Sequence, residues 1–341
     1  MASIRNQFNG ALVNSLPISD PVDLSGRHIF ITGGTGFLGK TLLDYLAECA
    51  ARHGDFRATV MSRSPDEFLR SAPQYSNLPW LDLCRGQLGS FPTSVRSVTD
   101  VIHAAATTHN VSNQVSWIDQ IVGGTRSALD WAASVGARRF LLTSSGAVYG
   151  QQASGVGGLA EDCCEAPVTT SIASVYGQAK RLAEQLCTIY SAEGRLETII
   201  ARCFAFTGPH IPLDGPYAIG NFIRDALARD AIRVRGDGRA IRTYLYGRDI
   251  AHWLLTILLV GSNGHAYNVG SDEPVSVAKL AAMVASVVSP GKPVLIESAA
   301  VEGEARRRYV PDITKARNIG LDVEVSLEDA IRFSAKADGR N

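Results

Sequence analysis

The sequence predicts an α/β protein: a Rossmann-type, doubly wound parallel sheet with a smaller mixed α/β C-terminal substrate-binding region. Three observations carry this. Short β-branched runs alternate with helical stretches from His28 to Arg202, the pattern of βαβ crossovers in a parallel sheet covered on both faces. A glycine-rich turn joins the first strand to the first helix. Beyond Phe204 the alternation gives way to loop signals at Gly208-Pro209, Pro212, Gly215-Pro216 and Gly236-Asp237-Gly238.

Residues 1–24 read as a polar N-terminal arm. His28–Thr32 is a strand and Phe37–Arg52 a helix carrying Leu42, Leu43, Leu46 and Ala50. Arg57–Met61 and Val101–His103 are strands, and Trp117–Ala133 is a helix. Phe140–Thr143 is a strand, Tyr176–Ser191 a helix and Thr198–Arg202 a strand. Helices follow near Ile219–Ala228, Arg248–Leu259, Val277–Val288 and Leu327–Phe333, the last capped by Ser326. These elements predict a cofactor domain over 25–204, with 241–262 packing back onto it. A substrate-binding region over 205–335 and a tail over 336–341 complete the chain.

Composition narrows the function. The 341 residues are 45% hydrophobic and 19% charged, which excludes wholesale disorder. Lys+Arg and Asp+Glu both number 33, so the chain lacks the basic excess of a nucleic-acid binder. A small anionic ligand needs only a local basic pocket. The six cysteines form no CxxC and no His/Cys cluster with zinc spacing, so no metal centre is expected and a reducing compartment is. The longest apolar run, near Trp253–Val260, is too short to span a bilayer, and residues 1–24 hold no apolar leader core. A soluble, cytoplasmic protein with no membrane partner is the expectation.

The turn Thr32-Gly33-Gly34-Thr35-Gly36-Phe37-Leu38-Gly39 has its strand before it and its helix after it. Glycines at 33, 36 and 39 permit a tight turn, close approach to a pyrophosphate and close helix–strand packing. The helix N-terminus then offers free N–H groups and a positive dipole end to the phosphates. At the end of the second strand Ser62 stands where an acidic residue would bind ribose hydroxyls, and Arg63 follows. A guanidinium there suits a 2′-phosphate, so the expected cofactor is NAD(P), leaning to NADP.

Tyr176 and Lys180 lie at i and i+4 and share a helix face. Thr143-Ser144-Ser145 ends the preceding strand at the sheet edge where ligands bind. A phenol ionises near pH ~10, and a neighbouring ammonium with a nicotinium charge would lower that. Tyr176 then exchanges a proton with a substrate hydroxyl during hydride transfer, and Ser145 hydrogen-bonds the same oxygen.

These residues resemble the extended short-chain dehydrogenase/reductase superfamily, in its nucleotide-sugar epimerase/dehydratase branch. The likeness runs through TGGTGFLG (32–39), DVIHAAA (100–106), LLTSSGAVYG (141–150), YGQAK (176–180), RCFAFTGP (202–209), GNFI (220–223), GDGRAIRTYLYGRDIA (236–251) and YNVGSDEPVS (267–276). It implies Ser145, Tyr176 and Lys180 as catalytic residues. The candidate cofactor contacts are Gly33, Thr35, Gly36, Phe37, Leu38, Gly39, Ser62, Arg63, Gln87, Leu88, Ala104, Ala105, Ala106, Thr143, Tyr176 and Lys180. Ser145, Asn221, Arg242 and Arg308, the last from the run Arg306-Arg307-Arg308, would meet a nucleotide-diphosphate sugar. A homodimer built from the helices Trp117–Ala133 and Tyr176–Ser191 is likewise implied.

The departures are informative. Where the resemblance puts an Asp-Glu pair in dehydratases, or a Glu in decarboxylases, this chain has Gly146 and Ala147, which move no protons. Ala205 and Ile121 replace asparagines, and Gln87 an aspartate, that are common in the family. The expected activity is a nucleotide-sugar epimerase acting by transient oxidation at sugar C4. A 4-keto-sugar reductase is the alternative, and a non-catalytic cofactor sensor is the reading outside enzymology.

Overall fold

The computed structural model describes residues 19–105, 114–153, 157–299 and 307–336. Seven strands form the central sheet: β1 (Arg27–Thr32), β2 (Phe56–Ser62), β3 (Leu81–Arg85), β4 (Asp100–His103), β5 (Arg139–Ser145), β6 (Glu197–Cys203) and β7 (Ala266–Val269). Their spatial order is β7-β6-β5-β4-β1-β2-β3, every neighbouring pair parallel. The order reverses between β1 and β4, where Thr32 pairs with His103. Crossovers leave this point in opposite directions and open a crevice at the carboxyl ends of the strands.

The helices are α1 (Phe37–Arg52), α2 (Pro65–Ser71), α3 (Gly124–Ser134), α4 (Val175–Ala192), α5 (Ala218–Ala228), α6 (Gly247–Val260), α7 (Val277–Val288) and α8 (Leu327–Lys336). β1 is buried through Phe30 and Ile31, so its residues face apolar layers on both sides. One face is covered by α1 and α6, through Leu42, Leu46, Leu254 and Leu258. The other is covered by α3 and α4, through Ala128, Leu129, Ala179 and Ala183. A third apolar core joins α5, α7 and α8 through Phe222, Leu280, Val284 and Ile331, and supports the region facing the crevice. Ser326 Oγ accepts from the Asp329 N–H at 3.1 Å before α8.

The structure adds elements that sequence patterning misses. β3 reads LDLCR, with charged residues exposed at the sheet edge, and so lacks the β-branched run of a central strand. α2 has seven residues, too few for a helical period to stand out. The helix expected over Trp117–Ala133 is broken: Val115–Ile118 is α-helical, Asp119–Gly123 forms a π turn, and α3 resumes at Gly124. No helix among the described residues is long and apolar enough to cross a membrane.

Candidate active site

The glycine turn is a cradle in three dimensions. Gly33 has φ of 72°, and a Cβ there would lie 2.7 Å from the Ala104 and Ala105 backbone. A Cβ on Gly39 would lie 2.3 Å from the Gly33 carbonyl oxygen. The turn therefore closes onto both the end of β4 and its own helix, which only glycine permits. Gly36 caps α1 without a side-chain hydrogen bond, leaving the helix end to a ligand. The Ala105 N–H donates to Thr32 Oγ1 at 3.2 Å, and Ala104 N–H to the Thr32 carbonyl at 3.2 Å, so the β1 and β4 ends form one lip. These residues fit a dinucleotide: the pyrophosphate would rest on Thr35, Gly36, Phe37 and Leu38. Ala106 lies outside the described residues.

Farther along the crevice, Ser62 is buried and its Oγ accepts from the Ser64 N–H at 3.1 Å. Arg63 is exposed, and its carbonyl accepts from Arg85 at 3.2 Å. Gln87 is exposed and bridged to Ser90, and Leu88 packs beside α3.

β5 ends in Ser145, whose Oγ accepts from the Ala147 N–H at 3.2 Å as the chain enters the turn Gly146–Tyr149. α4 presses its first turn on that turn; a Cβ at Gly177 would lie 2.5 Å from the Ala147 carbonyl oxygen. This approach brings the Tyr176 phenol close enough to Ser145 for the two to interact. Trp117 walls the other side of Tyr176, its ring 5.7 Å away and edge-on. One turn on, Lys180 is 4% exposed, and its Nζ donates to the Thr143 carbonyl at 2.7 Å. Thr143 in turn donates its hydroxyl to the His103 carbonyl at 3.0 Å, which ties β5 to β4. Ser145, Tyr176, Lys180 and Thr143 are thus brought together.

The electrostatics correct one expectation. Tyr176 is pushed up to about 12, chiefly by burial, with the Ser145 hydrogen bond pulling the other way. Lys180 Nζ lies 6.0 Å from the ring centre, too far within the chain itself to offset that burial. Burial also lowers Lys180 to about 8. The phenolate therefore needs further positive charge beside it to form near neutral pH.

The substrate-facing candidates divide. Asn221 lines a cavity of about 640 Å³ with Arg224, Arg233 and Arg235. Its Nδ2 donates to the Gly215 carbonyl at 3.1 Å. Arg242 and Arg308 stand instead on adjoining segments, joined by the Ile241–Arg308 bridge. Arg242 donates to the Ile241 and Arg307 carbonyls at 2.8 and 3.2 Å, and Arg308 Nε to the Gly157 carbonyl at 3.2 Å. Sequence reading missed Trp117, Arg224, Arg233, Arg235 and Tyr309. Tyr309 follows directly on the arginine run, an aromatic in a polar stretch, and that was its only signal.

The model of the NAD dependent epimerase/dehydratase family matches residues 29–270. This chain belongs to that family. UDP-glucuronic acid decarboxylase 2 of Arabidopsis thaliana is 27% identical over 337 residues, covering 96% of this family member and 71% of the relative. The UDP-N-acetyl-alpha-D-glucosaminuronate decarboxylase of Bacillus cytotoxicus is 30% identical over 266 residues, 75% of this chain and 78% of the relative. Among solved structures, UDP-N-acetylglucosamine 4-epimerase from Methanobrevibacter ruminantium superposes with a TM-score of 0.77 at 18% identity, over 92% of this chain and 99% of that one. MoeE5, solved with UDP-glucose and NAD, gives 0.75 at 23% identity over 91% and 98%. The fold is that of the extended short-chain dehydrogenases, and the chain is an enzyme of this epimerase/dehydratase family.

Proposed function

We propose that this protein is an NAD(P)-dependent nucleotide-sugar epimerase that acts by transient oxidation at sugar C4. The observation that carries it is the convergence of Ser145, Tyr176 and Lys180 beside two residues, Gly146 and Ala147, that have no ionisable group. A proton can be exchanged at one substrate oxygen, and no carboxyl group stands in that turn to expel water or assist decarboxylation.

When bound, the nicotinamide cofactor supplies the hydride acceptor and donor. Tyr176 is placed to take the proton of the 4-hydroxyl, and the bound cofactor would accept the C4 hydrogen as hydride, which would give a 4-keto sugar. Ser145 holds the same oxygen. Once the sugar has turned its other face, the bound cofactor would return hydride to C4 and Tyr176 would give back the proton, so the sugar would be isomerised without net redox change. Lys180 supplies positive charge near the phenol while it remains protonated. The cavity beside Asn221, with Arg224, Arg229, Arg233 and Arg235 in its lining, supports a nucleotide-diphosphate group, as guanidinium forks match phosphate oxygens. The UDP-sugar names of the relatives support uridine nucleotides as the first to test.

The exposed Arg63 favours NADP and with it the second reading, a 4-keto-sugar reductase. A homodimer through α4 and the segment leading into α3 is part of the same reading. Val115 and Ile118 precede α3, and Leu182 and Ile189 on α4 are 49% and 41% exposed, an unusual apolar surface for two neighbouring helical segments.

The test is a panel of UDP-hexoses and UDP-hexuronates with the purified chain. Interconversion of C4 epimers without net cofactor consumption supports the proposal. Stoichiometric NADPH consumption on a 4-keto sugar makes the protein a reductase, and release of carbon dioxide makes it a decarboxylase.

A further inference from the structure

Tyr309 belongs to no central strand, yet its backbone is pinned on all sides. Ile241 N–H donates to the Arg307 carbonyl at 2.8 Å, and Tyr309 N–H to the Ile241 carbonyl at 3.1 Å. Val310 N–H donates to Gln152 Oε1 at 3.0 Å, and the Leu159 N–H to the Val310 carbonyl at 2.9 Å. The ring lies 4.5 Å from that of Phe204, and the Arg242 guanidinium lies 5.8 Å from its centre. This packing carries the phenol across to the turn after β5. A Cβ on Gly146 would lie 2.5 Å from the Tyr309 hydroxyl oxygen and 2.7 Å from Cζ of Phe204. That places the Tyr309 hydroxyl beside Ser145, the residue before Gly146, near enough for the two to interact. Burial pushes its phenol well above the ordinary range, so it stays protonated and available as a donor.

A serine oxygen has two acceptor sites and one proton. The Ala147 N–H already occupies one acceptor site of Ser145 at 3.2 Å. A protonated Tyr309 donating to the other leaves Ser145 only its own proton to give, and that proton can go only outward, to Tyr176 or to a substrate oxygen beside it.

We infer that Tyr309 is a positioning and specificity-determining residue. Its hydroxyl commits Ser145 to the role of donor, and with Phe204 it fills the room that any side chain on residue 146 would need. The inference rests on the proposed C4 reaction for its kinetic arm, and on geometry alone for its structural arm.

The kinetic arm uses the full chain with Tyr309→Phe, Ser145→Ala and the double variant. Tyr309→Phe should lower kcat about tenfold with KM within about twofold, and the double variant should be no worse than Ser145→Ala, because both changes abolish one directed proton. The pH profile of kcat should move upward in Tyr309→Phe, since Tyr176 loses the hydrogen bond that favours its phenolate. An unchanged kcat, or losses that multiply independently, would overturn the positioning role. The structural arm needs no activity. Gly146→Ala should lower Tm by about 3 °C or more in the natural chain and by less than half as much in a Tyr309→Ala background. Equal losses would overturn the space-filling role. Should the natural chain turn over no C4 epimer pair, the proposed function fails and the structural arm decides this inference.

Discussion

Lys180 donates to the carbonyl oxygen of Thr143 at 2.7 Å, so its ammonium is held by the end of β5, 6.0 Å from the ring centre of Tyr176. The cation is anchored to the sheet, and the phenol lies beside Ser145 and against the Trp117 ring. Their separation is set by the meeting of α4 with β5, and the proposed reaction makes use of both groups.

Tyr176→Phe should therefore lower kcat by about 1,000-fold and Lys180→Met by about 100-fold, with cofactor binding retained in the first variant. Because burial alone lowers Lys180 to about 8, its ammonium is a cost to the folded chain below that pH. Lys180→Met should accordingly leave Tm at pH 7 unchanged or raised. Steady-state kinetics and calorimetry check the two halves, and a lowered Tm with intact kcat would contradict both.

Gly33→Ala should destabilise the chain by about 2 kcal/mol or more, because it combines a left-handed φ of 72° with a Cβ 2.7 Å from backbone atoms. The same variant should bind dinucleotide more weakly, since the end of β4 must move to admit the methyl group. Denaturant melts and fluorescence titration with NADH and NADPH measure each effect.

Asp249 makes stability depend on pH in a calculable direction. Its Oδ2 accepts from the Glu324 and Val325 N–H groups, both at 3.1 Å, while its buried Oδ1 lacks a hydrogen-bond partner. Burial raises it from 3.8 to about 7, helped by Glu324 and opposed by Arg248. The folded state thus binds the proton more tightly than the unfolded chain. Its contribution is full below about pH 4 and is lost as pH rises through 7, at most on the order of 4 kcal/mol. Asp249→Asn should remove this dependence, so the Tm of the variant relative to the natural chain rises between pH 4 and 8. A parallel pair of Tm–pH curves would refute the assignment.

Leu182→Asp combined with Ile189→Asp should convert the proposed dimer to a monomer in sedimentation experiments without loss of helical circular dichroism, since both side chains already face outward from α4. A sedimenting mass unaffected by the pair would place any interface elsewhere.

Much of the site was written in local sequence. The glycine turn, the Tyr176–Lys180 spacing and Ser145 at a strand end are short-range patterns, because backbone conformation and helix periodicity are properties of neighbouring residues. The alternation of strand and helix fixed the sheet class for the same reason, and it failed where elements were short or edge-exposed, as at β3 and α2. The sequence alone thus determined the fold and pointed to the candidate cofactor cradle and catalytic set. Tertiary structure alone decided which residues reach that set from afar. Tyr309 meets Gly146, 163 positions earlier in the chain, through packing on Phe204, and no periodicity announces such a contact. The same holds for the charge state of Tyr176, since burial depends on everything packed around it and on nothing in its immediate neighbours.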